Sequence, residues 1–125
     1  MSRLRVLICD DAVMYATLLS HWFADDPEIE VVGTVSNAKE ALPAVESLEP
    51  DVVLLDHMLP DALSAELAPE LRRRAPGVRI VLASGLPDDA LAQAATAIDA
   101  QAWVSKASTQ SAVREALLAP PPAGA

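Results

Sequence analysis

The sequence has few cysteines, few aromatic residues and no long apolar runs. Its one cysteine, Cys9, cannot form an internal disulfide, which fits a reducing compartment and leads us to expect a cytoplasmic protein. No apolar run approaches the roughly 20 residues that a membrane-spanning helix needs. Asp10 and Asp11 interrupt the first apolar stretch too early for a signal peptide. Aromatic residues make up only 3% of the chain, so the predicted core is aliphatic.

Positive charge is also scarce. Nine Lys and Arg residues stand against 18 Asp and Glu, and the net charge of −9 argues against direct binding of a nucleic acid. What the chain has in quantity is apolar residues, which are 52% of its 125 positions. This length and composition predict one globular domain with a full hydrophobic core.

Short apolar segments alternate along the chain with segments that have the periodicity of amphipathic helices. The five apolar segments are rich in Val, Ile and Leu and have the length of strands: residues 4–9, 29–35, 51–55, 78–83 and 102–105. Three of them are almost continuously apolar, as expected of strands that are buried on both faces. We therefore predict an α/β fold of five β–α units. Its parallel sheet would be doubly wound and flavodoxin-like, with the strand order 2-1-3-4-5.

The helical segments contain signals for their ends and their buried faces. Asn37 is the expected N-cap of the second helix, and Pro87 followed by two acidic residues predicts the start of the fourth. Residues 1–118 are expected to form the domain, because residues 119–125 are rich in Pro and Ala and predict a tail or the start of a linker. The first helix is expected to bury five apolar residues: Val13, Leu18, Leu19, Trp22 and Phe23.

Polar residues stand where four of the predicted strands end. Asp10 and Asp11 follow the first strand, Asp56 the third, Ser84 the fourth and Lys106 the fifth. The carboxyl ends of parallel strands meet at one edge of such a sheet, which is where doubly wound folds bind ligands. Three carboxylates repel one another unless a cation joins them, and oxygen ligands favour Mg²⁺. With a lysine and a hydroxyl group beside it, the predicted site suits a small dianion such as a phosphoryl group.

Together with Trp103, three residues before Lys106, these motifs resemble the receiver domain of response regulators, the phosphoacceptor module of two-component signalling. The resemblance covers nearly the whole chain, from Leu4 to about Leu118. It implies that Asp56 accepts a phosphoryl group from a sensor histidine kinase and that Lys106 pairs with that group. Beyond its own phosphorylation and dephosphorylation, no enzymatic activity is then expected.

The resemblance also implies a cofactor, a switch and partners. Mg²⁺ would have three carboxylate ligands and one backbone carbonyl: Asp10, Asp11, Asp56 and the carbonyl of Met58. Ser84 and Trp103 would respond to the phosphoryl group and alter a surface through which homodimers form. That surface would be the fourth helix, fifth strand and fifth helix, or else the first and fifth helices. Residues 105–108 resemble receivers that precede a LuxR-type helix-turn-helix domain, so a DNA-binding domain outside this chain would control transcription.

Five positions depart from the pattern of the family. Ser64 stands where a flexible glycine is usual, and Ala107 replaces a proline that many receivers have in a cis peptide. Pro69 predicts a third helix that starts late or bends. Met58 and Leu86 are apolar where polar residues often help to tune hydrolysis, which predicts a long-lived phosphoryl group.

Two alternative functions remain open at this point. The departures in the loop after Asp56 also fit a phosphorylation-independent pseudo-receiver that acts as a binding or scaffolding module. A metal-dependent phosphohydrolase of similar topology also uses an aspartate nucleophile, but it needs an acid two residues later, where this chain has Met58. Trp103 equally fits an amphipathic residue on an exposed face. His21 and His57 are expected to be solvated and without a ligand role.

Overall fold

Five parallel strands form one sheet in the computed structural model, which describes residues 3–120. The strands are β1 (Leu4–Cys9), β2 (Ile29–Val35), β3 (Val52–Asp56), β4 (Arg79–Ser84) and β5 (Ala102–Ser105). The helices that alternate with them are α1 (Val13–Trp22), α2 (Ala38–Leu48), α3 (Ser64–Arg74), α4 (Asp88–Ala97) and α5 (Gln110–Leu118). The order across the sheet is β2-β1-β3-β4-β5, which confirms the predicted fold class and topology. Residues 121–125 of the predicted tail lie outside the described residues.

An apolar layer covers each face of the sheet. Successive side chains of a strand point to opposite faces, so a continuously apolar strand contributes to both layers. In β1, for example, Leu7 and Cys9 pack on the side of α2, α3 and α4, whereas Val6 and Ile8 pack on the side of α1 and α5. Phe23 is the one aromatic residue buried in the core of the described residues, so the expectation of an aliphatic core is confirmed. None of the helices within residues 3–120 has the length and apolarity needed to span a membrane.

The buried face of α1 differs from the predicted one. Leu19 and Phe23 are buried as expected, but Val13 is 69% exposed and Leu18 is 42% exposed, so these two predictions were wrong. Leu18 lies about 100° around the helix from Leu19 and therefore turns away from the sheet. Val13 belongs to the first turn of α1, and the buried residues begin only one turn later, at Ala16.

The helix ends follow the sequence signals. The side chain of Asn37 accepts a hydrogen bond from the backbone N–H of Glu40 at 2.8 Å, which confirms it as the N-cap of α2. Pro87 precedes α4, whose first turn contains both acidic residues. β3 and β4 each lie one residue later than predicted, so Asp56 and Ser84 are the last residues of their strands.

α3 passes through its proline without a break. It runs continuously from Ser64 to Arg74 with Pro69 past its first turn, so the predicted late start was wrong, and the predicted bend stays a prediction. A proline cannot donate a hydrogen bond to the carbonyl four residues earlier, here that of Ala65. Both Pro69 and Ala65 are exposed, so water can bond the carbonyl that lacks its helical partner.

Candidate functional site

The carboxyl ends of four strands bring the predicted site residues to one edge of the sheet. Asp56 ends β3 and Ser84 ends β4, and these strands are neighbours. Asp10 directly follows β1, which lies on the other side of β3. Lys106 directly follows β5, and its backbone N–H donates to the carbonyl of Ser84 at 3.0 Å. Parallel pairing therefore brings together residues that are as many as 96 positions apart in the chain.

Three carboxylates form a compact acidic cluster at this edge. Each of Asp10, Asp11 and Asp56 offers an oxygen that lies within 4.8 Å of the oxygens of the other two. Asp10 is 4% exposed and Asp56 is 6% exposed, whereas Asp11 is open to solvent. The backbone N–H of Ala12 donates to Oδ1 of Asp10 at 2.8 Å and fixes that carboxylate. A set of closely spaced oxygens, two of them buried, suits a hard divalent cation such as Mg²⁺.

Lys106 supplies the positive charge nearest to the cluster. Its Nζ lies 2.8 Å from Oδ2 of Asp10 and 3.3 Å from Oδ2 of Asp56. The side chain of Lys106 is only 24% exposed, so water screens these pairs incompletely. The ammonium also lies 5.4 Å from the centroid of the Tyr15 ring, within the range of a cation–π contact.

The backbone after Asp56 offers one further oxygen, the carbonyl of Met58. The N–H of Met58 donates to Oδ1 of Asp56 at 3.3 Å, and the side chain of Met58 is exposed. Within the described part of the chain, no hydrogen bond reaches the carbonyl of Met58. This carbonyl is therefore available as a fourth ligand, so the residues present fit the magnesium site that the sequence predicts.

The comparisons with known proteins identify the family. Residues 6–118 match the response regulator receiver domain. The chain belongs to this family. Among curated relatives, the protein-glutamate methylesterase/protein-glutamine glutaminase of Nocardioides sp. is 38% identical over 88 residues, 70% of this chain and 24% of its own. The enzyme of the same name from Agrobacterium fabrum is 40% identical over 80 residues, 64% of this chain and 23% of its own.

Solved structures show the same fold. The signal receiver domain of the putative response regulator NarL from Mycobacterium tuberculosis superposes with a TM-score of 0.83 at 24% identity, covering 96% of this chain and all of that one. The response regulator RcsB from Salmonella typhimurium gives a TM-score of 0.84 at 20% identity, covering 95% of this chain and 61% of that one. The matched segment spans about a quarter of the length of these two methylesterases. The similarity to them is therefore limited to that quarter of their sequences.

The electrostatics of the receiver site are set by burial and by opposite charges. Burial, and after it the charge of Asp10, raise the pKa of Asp56 from 3.8 to about 6, although the nearby Lys106 opposes both. Burial lowers the pKa of Lys106, but its hydrogen bond to Asp10 and the two carboxylate charges outweigh burial, so its pKa lies above the ordinary value. One ammonium does not balance three carboxylates, and this excess of negative charge favours a bound cation.

Ser84 and Trp103, the two residues expected to act as a switch in the receiver domain, lie on adjacent strands. Ser84 is buried, and its Oγ accepts a hydrogen bond from the N–H of Leu86 at 3.0 Å. Trp103 lies on the edge strand β5 and is 37% exposed. The peptide bond after Lys106 is trans, as are all those of the described residues, so Ala107 does not take the cis form of the proline it replaces.

Several contacts of the receiver site were not predicted from the sequence. The contact of Tyr15 with Lys106 could not be predicted from residue spacing, because it joins α1 to the end of β5. Asp61 accepts hydrogen bonds from the backbone N–H groups of Ala38 and Lys39 at 2.8 and 3.0 Å, and these bonds lower its pKa. An acidic residue after Pro60 was a usable signal for a turn, but not for this contact. His57 is less solvated than predicted: it is half-buried, and its ring is hydrogen-bonded within the loop.

Proposed function

We propose that this receiver domain accepts a phosphoryl group on Asp56 from a sensor histidine kinase in a step that depends on Mg²⁺. The observation that carries the proposal is the surroundings of the Asp56 carboxylate. It is buried between a second carboxylate and an ammonium that lies 3.3 Å away, at the edge of the sheet where doubly wound folds bind ligands. Membership of the receiver family supports the same reaction.

Asp56 is the proposed nucleophile. One carboxylate oxygen forms a bond to phosphorus as the bond between phosphorus and the imidazole nitrogen of the kinase phosphohistidine breaks, and the electron pair of that bond stays on the nitrogen. Lys106 stabilises the negative charge on the oxygens of the transferring group. Mg²⁺, held by Asp10, Asp11, Asp56 and the Met58 carbonyl, supplies the remaining charge neutralisation when bound.

The proposed switch starts at Ser84 and ends at an exposed surface. The hydroxyl of Ser84 accepts its bond from Leu86, so its own hydrogen is free for donation to a phosphoryl oxygen. A shift of the β4–α4 backbone with Ser84 would reach Trp103 on the next strand, and through it the α4–β5–α5 surface. The alternative α1–α5 surface is supported by Met14 and Leu18, which expose apolar side chains from α1.

The rest of the regulator follows from the same proposal. The phosphorylated domain would form homodimers or contact a LuxR-type DNA-binding domain in the same protein, and so control transcription in the cytoplasm. The receiver domain itself would bind neither DNA nor a membrane, in line with its net charge of −9. Because Met58 and Leu86 place no polar side chain beside Asp56, we expect the phosphoryl group to be long-lived.

Mass spectrometry of the purified chain with Mg²⁺ and acetyl phosphate tests this function. We expect an adduct of about 80 Da, one phosphoryl group, that is absent without Mg²⁺ and absent from Asp56→Asn. Tryptophan fluorescence of the Trp22→Phe variant, recorded with a beryllofluoride mimic, would report on Trp103 alone. No adduct and no response to Mg²⁺ would instead support a phosphorylation-independent binding module.

A further inference from the structure

The β3–α3 loop, residues 57–63, is closed at its base by a pair of hydrogen bonds. Nδ1 of His57 lies 2.7 Å from Oγ of Ser64, and the backbone N–H of Ser64 donates to the carbonyl of His57 at 2.9 Å. Ser64 is completely buried, and it is the first residue of α3. The residue that directly follows Asp56 is therefore tied to the start of the next helix by its backbone and by its side chain.

The rest of the loop is held equally closely. The N–H of Leu59 donates to the carbonyl of Ala62 at 3.0 Å and forms a tight turn. Met58 and Leu63 face each other between this turn and the base as an antiparallel bridge. At the tip, Asp61 accepts the two hydrogen bonds from the amino-terminal turn of α2. The loop is thus fixed at its base and at its tip, and Met58 lies between these two fixed points.

We propose that His57 and Ser64 are positioning residues that hold the backbone of Met58 beside Asp56 and so preorganise the Mg²⁺ site. The N–H of Met58 donates to the Asp56 carboxylate at 3.3 Å, and the carbonyl of Met58, in the next peptide group, accepts no hydrogen bond from the described residues. Groups that orient a metal ligand without touching the metal contribute strongly to metal affinity. The inference depends on the proposed function only for its consequence, faster phosphoryl uptake.

The side chain of Ser64 is needed for this role. A glycine at this position would have no side chain with which to bond an imidazole and would leave the backbone freer. Here a hydroxyl and a histidine seven residues earlier replace that freedom with a fixed contact. A loop that is already ordered pays less conformational entropy when the cation binds.

Titration of the purified chain with MgCl₂, followed by calorimetry in the absence of any phosphodonor, tests the inference. We expect His57→Leu and Ser64→Ala each to raise the Mg²⁺ dissociation constant about tenfold. The double variant should bind no more weakly than either single variant, because both remove the same contact. His57→Asn should recover part of the affinity, since its amide places a nitrogen as many bonds from the backbone as Nδ1 of His57.

Matched controls and a second readout separate positioning from general damage. His21→Leu and Ser111→Ala change an exposed histidine and an exposed serine and should leave the dissociation constant within twofold of the wild type. Hydrogen exchange at the N–H of Leu59 and Ser64 should accelerate in the two loop variants. If Ser64→Ala fails to fold by circular dichroism, Ser64→Gly, which has the residue usual at this position, is titrated in its place.

Three outcomes would overturn the inference: affinities within twofold of the wild type, additive effects of the two single changes, or a wild type that binds no Mg²⁺. The phosphorylation assay keeps this inference distinct from the proposed function. If the affinity is unchanged in the variants while the wild type forms its adduct, the positioning role fails and the function stands. If the affinity falls in the variants while the wild type forms no adduct, the positioning role stands and the function fails.

Discussion

The buried carboxylate of Asp56 should make the metal-free domain less stable at neutral pH than at acidic pH. Burial and the charge of Asp10 raise its pKa from 3.8 to about 6, even with Lys106 nearby. In the unfolded chain the same carboxyl group ionises near 3.8. Between about pH 4 and pH 6 the unfolded chain therefore releases a proton that the folded domain still holds, and the free energy of unfolding falls as the pH rises through this window.

The size of the effect follows from the two pKa values. The difference between about 6 and 3.8 corresponds to about 3 kcal/mol at 1.36 kcal/mol per pKa unit. Asparagine has nearly the same shape as aspartate and no charge. Asp56→Asn should therefore be about 3 kcal/mol more stable than the wild type at pH 7.5 and nearly equal to it at pH 4. For a single domain with a total stability of about 5 to 15 kcal/mol, this gain is large.

Urea unfolding in EDTA at pH 4, 5, 6 and 7.5, followed by circular dichroism, measures this difference. Asp25→Asn, which neutralises an exposed acid on the surface, is the control and should change stability by less than about 0.5 kcal/mol. Adding Mg²⁺ should stabilise the wild type and leave Asp56→Asn nearly unaffected, because a ligand stabilises only the state that binds it. If Asp56→Asn raises the free energy of unfolding by less than about 1 kcal/mol at pH 7.5, or by as much at pH 4 as at pH 7.5, the reasoning is refuted.

Substitutions at three further residues test the surroundings of the same carboxylate. Lys106→Met removes the ammonium that lies 2.8 Å from Asp10 and 3.3 Å from Asp56, and it should slow adduct formation at least tenfold. Lys39→Met changes an exposed lysine and is the control that should leave the rate unchanged. Tyr15→Phe keeps the ring beside the ammonium and removes a buried hydroxyl that has no partner among the described residues, so it should stabilise the domain by up to about 1 kcal/mol in thermal unfolding. Tyr15→Leu removes the ring and should slow adduct formation, and equal rates for the two variants would exclude a role for the ring. Met58→Asn should shorten the lifetime of the adduct, whereas Met14→Asn on the exposed face of α1 should leave it unchanged.

A large part of the architecture could be predicted from the sequence, because it depends on local patterns. Five apolar segments alternate with helical periodicity, and this alternation alone leads to a parallel sheet with helices on both faces. The predicted site had the same origin. Asp10, Asp56, Ser84 and Lys106 each stand at the end of a strand, and in a parallel sheet such residues must meet at one edge. The roles assigned to these residues stay predictions.

Only the tertiary structure decided the contacts that depend on the direction of side chains and on partners distant in the sequence. The sequence does not show that α1 turns Val13 and Leu18 to solvent, because the face it buries depends on how the helix lies on the sheet. It does not show that Ser64 meets His57, nor that Tyr15 meets Lys106, 91 residues further along the chain. Periodicity determines which elements form and in what order, whereas the geometry of a site depends on rotamers that are chosen only when the elements pack.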